Sequence, residues 1–275
     1  MLFIVRLAAI IIFINILYMF NANAGCKRII SLAPSITETL FYMGLGNNVV
    51  GVTRYARWPK KVSTIPKIGG YYDVNFESLI NLKPSVVVMT YRQNRLASQI
   101  KKLHIKTLIV HHNSIYNIIN SINTIGRYCG NYKKSSIMSG KLKKEIYNIK
   151  QKYKNYPHRK ILICFGSPGT STIIVAGNKS IYGDIIKIIG AKNIYQGNLS
   201  WANMSLSSII KLNPYAIFIL GEKKRDTKSI TNWKKLPIKA SLHNRIYTLS
   251  KNIYITPSPR IIDVIKNIAF LLYKN

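Results

Sequence analysis

The chain has 275 residues, 48% of them hydrophobic, with a mean hydropathy of +0.07, which is enough apolar material for one large or two ordinary domains. Global disorder is thereby excluded. Lysine and arginine number 41 against 8 acidic residues, a net charge of +33. Nucleic acid or anionic lipid would suit that balance, but the lysines are spread along the whole chain and form no single basic arm, so a solvated basic surface is the preferred reading.

The first segment, MLFIVRLAAIIIFINILYMFNANAG, carries one basic residue, an apolar run and then Ala22-Asn23-Ala24. This is the pattern of a secretory signal cut after Ala24, so residues 1–24 are expected to be removed and the protein to be periplasmic, with no nucleic-acid partner. An uncleaved anchor is the rival, but Asn15 interrupts the run. Lipoprotein processing at Cys26 is a second rival; Ala24 and Gly25 suit it, while Asn23 stands where an aliphatic residue is expected. Cys26, Cys129 and Cys164 are too few for a disulfide framework. A Cys129–Cys164 bond is open, and Cys164, inside KILICFG, reads more simply as a buried thiol.

From residue 28 onward, short β-rich runs alternate with helical patterns: RIISLA, SITETLFYMG, NVVGVT, NFESLINLK, SVVVMT, a helix near 94–103, KTLIVHH and a helix near 114–128. After His158 the rhythm resumes with KILICFG, STIIVAG, SIYGDIIKIIG, SLSSIIKLN, YAIFILG, RIYTLS and a closing helix. Apolar strands alternating with helices predict mainly parallel sheets covered on both faces. Between the halves, Met138, Leu142, Ile146, Ile149 and Tyr153 fall on one helical stripe. The expected architecture is therefore α/β, with lobes at 25–133 and 156–275 joined by one long linking helix at 134–155.

The two halves share a phrase. FESLINLKPSVVVMT (76–90) and LSSIIKLNPYAIFILG (206–221) align with Ile80 on Ile210, Leu82 on Leu212 and Pro84 on Pro214. Each reads as a helix stopped by proline and followed by a buried strand. Related lobes facing each other place the default ligand site in the cleft at the carboxyl ends of their strands. Glu77 in the first copy falls on Ser207 in the second; taken alone, Glu77 is a carboxylate favouring a helix N-terminus by ~0.3–1 kcal/mol.

Within LAPSITETLF, Ser35 and Glu38 have capping-box spacing, which outranks a catalytic pairing. His111 and His112 are neighbours at a strand end; they point to opposite faces and read as surface or loop histidines rather than metal ligands. No GxSxG, HExxH or CxxC is present, GSPGTS lacks the lysine of a phosphate loop, and carboxylates are scarce, so no catalytic set, metal site or cofactor site is expected. Aromatics gather instead at strand ends, several of them in Gly/Pro/Ser-rich loops that follow strands: Tyr55, Trp58, Tyr71, Tyr72, Tyr91, Phe165, Trp201 and Tyr254. That pattern suits a large, flat, partly apolar ligand held between stacking faces.

The stretches RIISLAPSITETLFYMGLGNNVVGVTRYARWP, IGGYYDVNFESLINLKPSVVV and PSPRIIDVIKNIAFLL resemble the periplasmic cobalamin-binding proteins of ABC importers, within the wider iron-siderophore/cobalamin substrate-binding family. The likeness spans essentially the whole chain after the signal segment. It implies two α/β lobes on one long helix, a non-enzymatic receptor, and a permease–ATPase complex of the inner membrane as partner. It further implies corrin contacts at Tyr55, Tyr71 (a family Trp), Phe165, Trp201 and Asn252, the last matching a family Asp. Where the family has another Trp, this chain has Thr90 with Tyr91 next to it. Family members carry one permease-docking Glu per lobe; Glu77 matches the first, and Ser207 stands in place of the second. Cobalamin or a related corrinoid is the implied ligand, with haem or a ferric siderophore as the alternative.

Overall fold

The computed structural model describes residues 25–169, 173–221 and 230–274; the expected signal segment lies outside them. Strands β1 (Ile29–Ser31), β2 (Val49–Val52), β3 (Val86–Thr90) and β4 (Thr107–Val110) form a parallel sheet in the order β2-β1-β3-β4. Helices α1 (Pro34–Tyr42), α2 (Phe76–Asn81), α3 (Asn94–Lys102) and α4 (Ile115–Tyr128) complete the first lobe.

The second lobe contains β5 (Lys160–Phe165), β6 (Ile173–Ala176), β7 (Lys192–Asn193), β8 (Trp201–Met204), β9 (Ala216–Leu220) and β10 (Ile246–Leu249). Their order is β10-β9-β5-β6-β8, with β7 also on β5; the β5–β6 and β6–β8 pairings are antiparallel and the others parallel. Helices α6 (Ile181–Ile188), α7 (Leu206–Leu212), α8 (Lys239–Leu242), α9 (Asn252–Ile255) and α10 (Ile261–Tyr273) pack around them.

One long helix, α5 (Tyr132–Lys152), joins the lobes. Its 21 residues span about 30 Å at 1.5 Å per residue. Leu142, Ile149 and Tyr153 are buried and Met138 and Ile146 partly so, so the stripe legible in the sequence is its inward face.

Alternation along the strands explains how the core is shared. Ile29, Val86 and Val88 point to one side of the first sheet, while Ile30, Val87 and Met89 point to the other. Ile161, Ile163 and Phe218 do the same in the second sheet, opposite Leu162, Cys164 and Ile217. One face of each sheet, together with the α5 stripe, feeds a single apolar cluster running through both lobes. The outer faces have separate cores of their own.

The repeated phrase is repeated in backbone detail. α2 is capped by the Asn75 side chain accepting from Ser78 N at 2.7 Å, and α7 by Ser205 accepting from Ser208 N at 3.2 Å. Such caps contribute about 1 kcal/mol each. Lys83 and Asn213, immediately before the two prolines, both adopt left-handed backbone, with φ of 42° and 49°. The helix stops there and the chain turns directly into β3 or β9.

Cysteine pairing differs from the option left open above. Cys26 is bonded to Cys129, 103 residues away, tying the strand entry to the end of α4. Cys164 is free and buried in β5, where burial pushes its thiol ionisation up.

Candidate ligand-binding site

Parallel strands end together, so the loops that follow them converge. Residues after β1, β2, β3, β4 and β10 and the last residue of β5 meet around a cavity of about 800 Å³ between the lobes, with residues between the antiparallel β6 and the start of β8 closing one side. Small-molecule pockets run ~300–1,000 Å³, so this one is large. Tyr55, Tyr71, Phe165, Trp201 and Asn252 all line it, as do Trp58, Tyr91 and Tyr254. Tyr72 does not; it is 66% exposed and packs edge-on against Tyr71, with centroids 4.6 Å apart.

On the second-lobe wall, Trp201 is 5.2 Å from Phe165 and 5.5 Å from Tyr182, centroid to centroid. Tyr182 has no strand-end signature in the sequence. It stands on α6 behind the Ser180 cap, and its hydroxyl donates to the Tyr254 carbonyl at 2.6 Å, fixing α6 to α9 within the second-lobe wall. Burial raises its ionisation, so it remains a neutral phenol.

The first-lobe wall is set by a hydrogen-bonded chain. Buried Gln93 donates to the carbonyls of Leu32 at 3.0 Å and Tyr71 at 2.7 Å, and its Oε1 accepts from Thr90 N and Thr90 Oγ1. Because the Thr90 hydroxyl hydrogen goes to Gln93, the Tyr71 hydroxyl donates to Thr90 Oγ1. Burial raises the Tyr71 pKa, the first of several causes. Tyr71 therefore offers an uncharged ring, with its proton committed to Thr90.

Glu38 departs from its expected role. α1 begins at Pro34, with Ala33 as its N-cap and no side-chain cap, so Ser35 lies inside the helix and no capping box forms. Proline is well suited to the first helical turn, which moves the helix start back by two residues, from Ile36 to Pro34. The Glu38 carboxylate instead crosses the cleft floor, accepting from Ser258 Oγ at 2.5 Å and Arg260 Nη1 at 3.2 Å. Burial raises its pKa against the opposing pull of Ser258 and Arg260. Arg260 also lies over the Trp58 ring, 4.4 Å from its centroid.

His112 is likewise not on the surface. It is 5% exposed and lines the cavity, while His111 is exposed and stacks on Tyr91 at 4.8 Å. Ser121 Oγ donates to the Ile118 carbonyl at 2.7 Å and so accepts from His112 Nε2 at 2.8 Å. That fixes the tautomer and leaves Nδ1 buried with no partner. Burial, then the neighbouring His111, pulls the His112 pKa down to about 3, so the ring is neutral.

Four cations line the cavity: Arg57, Arg92, Lys251 and Arg260. Arg260 is paired with Glu38; among the described residues the other three have no carboxylate partner. Glu77 and Ser207 both lie exposed in the first turns of α2 and α7, outside the cavity lining.

A family model described as periplasmic binding protein matches residues 29–252. The chain belongs to that family. A relative 31% identical over 256 residues, covering 90% of this chain and 80% of its own length, is an uncharacterized ABC transporter substrate-binding lipoprotein of Bacillus subtilis. A vitamin B12-binding protein of Vibrio parahaemolyticus is 24% identical over 249 residues, covering 89% of this chain and 88% of its own. Among solved structures, a possible iron-binding (periplasmic solute-binding) protein of Staphylococcus epidermidis superposes with a TM-score of 0.80 at 27% identity, covering 91% of this chain and all of that one. This member of the periplasmic binding protein family is thus a substrate-binding protein of an ABC importer, a component that works with a membrane permease and ATPase. No helix among the described residues is long and apolar enough to cross a membrane.

Proposed function

We propose that the protein captures cobalamin or a related corrinoid between its lobes, outside the inner membrane, and delivers it to an ABC permease. The observation that carries this reading is the interlobe cavity, whose facing walls are aromatic: Tyr55, Tyr71 and Tyr91 on one side and Phe165, Trp201 and Tyr254 on the other. Flat faces on both sides of a wide slot suit a macrocycle, because stacking recognises area rather than a single bond. The similarity to vitamin B12-binding relatives supports the same ligand class. Tyr55, Tyr71, Phe165, Trp201 and Asn252 would contact the ligand, and Glu77 would dock the permease while Ser207 leaves the second lobe without its matching charge. The geometry calls for binding and release and assigns no catalytic step.

Haem or a ferric siderophore is the second reading, favoured by the unpaired charges of Arg57, Arg92 and Lys251 around the cavity. Against haem ligation by Tyr71 stand its burial, which raises the phenol pKa, and the commitment of its hydroxyl proton to Thr90. Titrating the mature protein with cobalamin, haemin and ferric siderophores, following absorbance and Trp fluorescence, tests both. Saturable cobalamin quenching is expected. No cobalamin response together with saturation by haemin or a siderophore would replace the first reading with the second.

A further inference from the structure

A second concavity lies at the other end of the second sheet, where β5, β9 and β10 begin rather than where they end. It has a volume of about 340 Å³. Arg159 precedes β5, Tyr215 precedes β9 and Arg245 precedes β10, and parallel pairing of these strands brings all three to one edge. The Arg245 guanidinium carbon lies 3.8 Å from the Tyr215 ring centroid and that of Arg159 lies 4.2 Å from it. Lys274 approaches the Tyr247 ring at 5.8 Å and completes the lining with His243.

Three fixed positive charges therefore share one small cavity. The ion pairs of the described residues are Arg54–Asp73, Arg260–Glu38 and Lys266–Glu145, and none of them involves these three. Both arginines are partly buried rather than fanned into solvent, so their mutual repulsion is less well screened than that of surface lysines. Arg159 spends one donor on the Leu272 carbonyl at 2.6 Å, which anchors its guanidinium from behind. Stacking on a ring holds a guanidinium plane while leaving its edge donors free, and those edges match tetrahedral and planar oxyanions.

We propose that this cavity is an oxyanion site, separate from the cleft, which takes a phosphate group, whether free, on a soluble metabolite or on a lipid headgroup. A bound phosphate would supply the negative charge that the described residues lining the cavity lack.

Inorganic phosphate titrated into the mature protein, against chloride at matched ionic strength, tests this by calorimetry and thermal shift. Saturable phosphate binding is expected, weakened about tenfold or more in Arg245→Gln and unchanged in the cleft variant Trp201→Ala. Lys274→Gln, which leaves the Lys274 N–H bond to the Phe270 carbonyl in place, is the second variant if Arg245→Gln does not fold, and should weaken binding in the same direction. Equal responses to phosphate and chloride, or phosphate affinity unchanged in Arg245→Gln and Lys274→Gln, would overturn the proposal. Cosedimentation with phosphatidylglycerol vesicles, competed by phosphate and lost in the same variants, identifies a lipid headgroup as the source. Phosphate binding without cosedimentation identifies a soluble one, and cosedimentation indifferent to phosphate and to both variants counts against the site.

Discussion

Glu38 of the first lobe and Arg260 of the second meet at 3.2 Å across the cleft floor, 222 residues apart in sequence. A reciprocal contact runs the other way, where Asp184 of the second lobe accepts from the Ile115 amide of the first at 2.9 Å, at the start of α4. Two of the chain's eight acidic residues thus hold one lobe to the other beside the cavity.

The Glu38–Arg260 pair should break asymmetrically. Arg260→Met leaves the carboxylate, 5% exposed, without its cation and should cost ~3–5 kcal/mol at neutral pH. Glu38→Gln leaves an arginine that is 23% exposed and rests on Trp58, and should cost about 1 kcal/mol. The folded-state pKa of Glu38 is raised, so its contribution is fullest below the unfolded pKa near 4.5 and falls as pH rises through the folded value. Urea unfolding across pH 4–8 should show the Arg260→Met deficit shrinking toward acid; a constant deficit would dissociate it from Glu38.

Trp201→Ala removes one face of the slot, and ligand affinity should fall about 10- to 100-fold, a stacking and burial loss of ~1.5–3 kcal/mol. Tyr71→Phe keeps its ring and should change affinity for a stacked macrocycle little. If Tyr71→Phe abolishes binding while Trp201→Ala does not, recognition runs through the phenol, and an iron ligand becomes the better choice.

Permease docking through Glu77 predicts impaired uptake by Glu77→Ala with ligand affinity intact. Ser207→Glu should leave uptake unchanged or raise it, because a docking charge acts on register and on-rate as much as on affinity. Uptake assays in cells carrying the cognate permease decide this; normal transport by Glu77→Ala would remove the docking role.

His112 predicts an acid limb to stability. Its folded pKa, about 3, lies below the unfolded value of 6.5, so stability is complete above pH 6.5 and declines as pH falls toward 3. At 1.36 kcal/mol per unit the loss by pH 3 is on the order of 4–5 kcal/mol. His112→Gln should flatten the thermal-melting profile over that interval, with the pH slope rather than the absolute Tm as the readout.

The Cys26–Cys129 bond closes a loop of about 100 residues, so reduction or Cys129→Ser should destabilise by ~4–5 kcal/mol in the chain-entropy account. Cys164, buried and hard to ionise, should stay unreactive toward thiol reagents until the protein unfolds. Alkylation of native protein with and without reductant, read by intact mass, checks both.

Local periodicity made the framework legible. The Ile/Val runs become parallel strands, the stripe from Met138 to Tyr153 faces the core, and the two proline-stopped phrases recur with the same left-handed residue before each proline. Tyr55, Tyr71, Tyr91 and Phe165 reach one cavity because parallel strands finish on the same side, while Trp201 reaches it from the start of β8. What stayed hidden depends on distance. Ser-x-x-Glu is a local pattern with a local meaning, and nothing within α1 reveals that Ser258 and Arg260 wait opposite Glu38. His112 looked superficial because its burial is supplied by α4 through Ser121, and Tyr182 carried no loop signature because it stands on a helix. The cysteine partner was equally unreadable, since Cys26 and Cys129 meet only after the first lobe has closed.

The apolar cluster that passes without interruption from one sheet, under α5, to the other has a mechanical corollary. Swinging the halves widely apart would tear a continuous oily seam, so empty and loaded receptors should present nearly the same outline to the transporter. Discrimination between them would then rest on side chains at the rim and on the cargo itself, and a membrane partner could not gauge occupancy from gross shape alone.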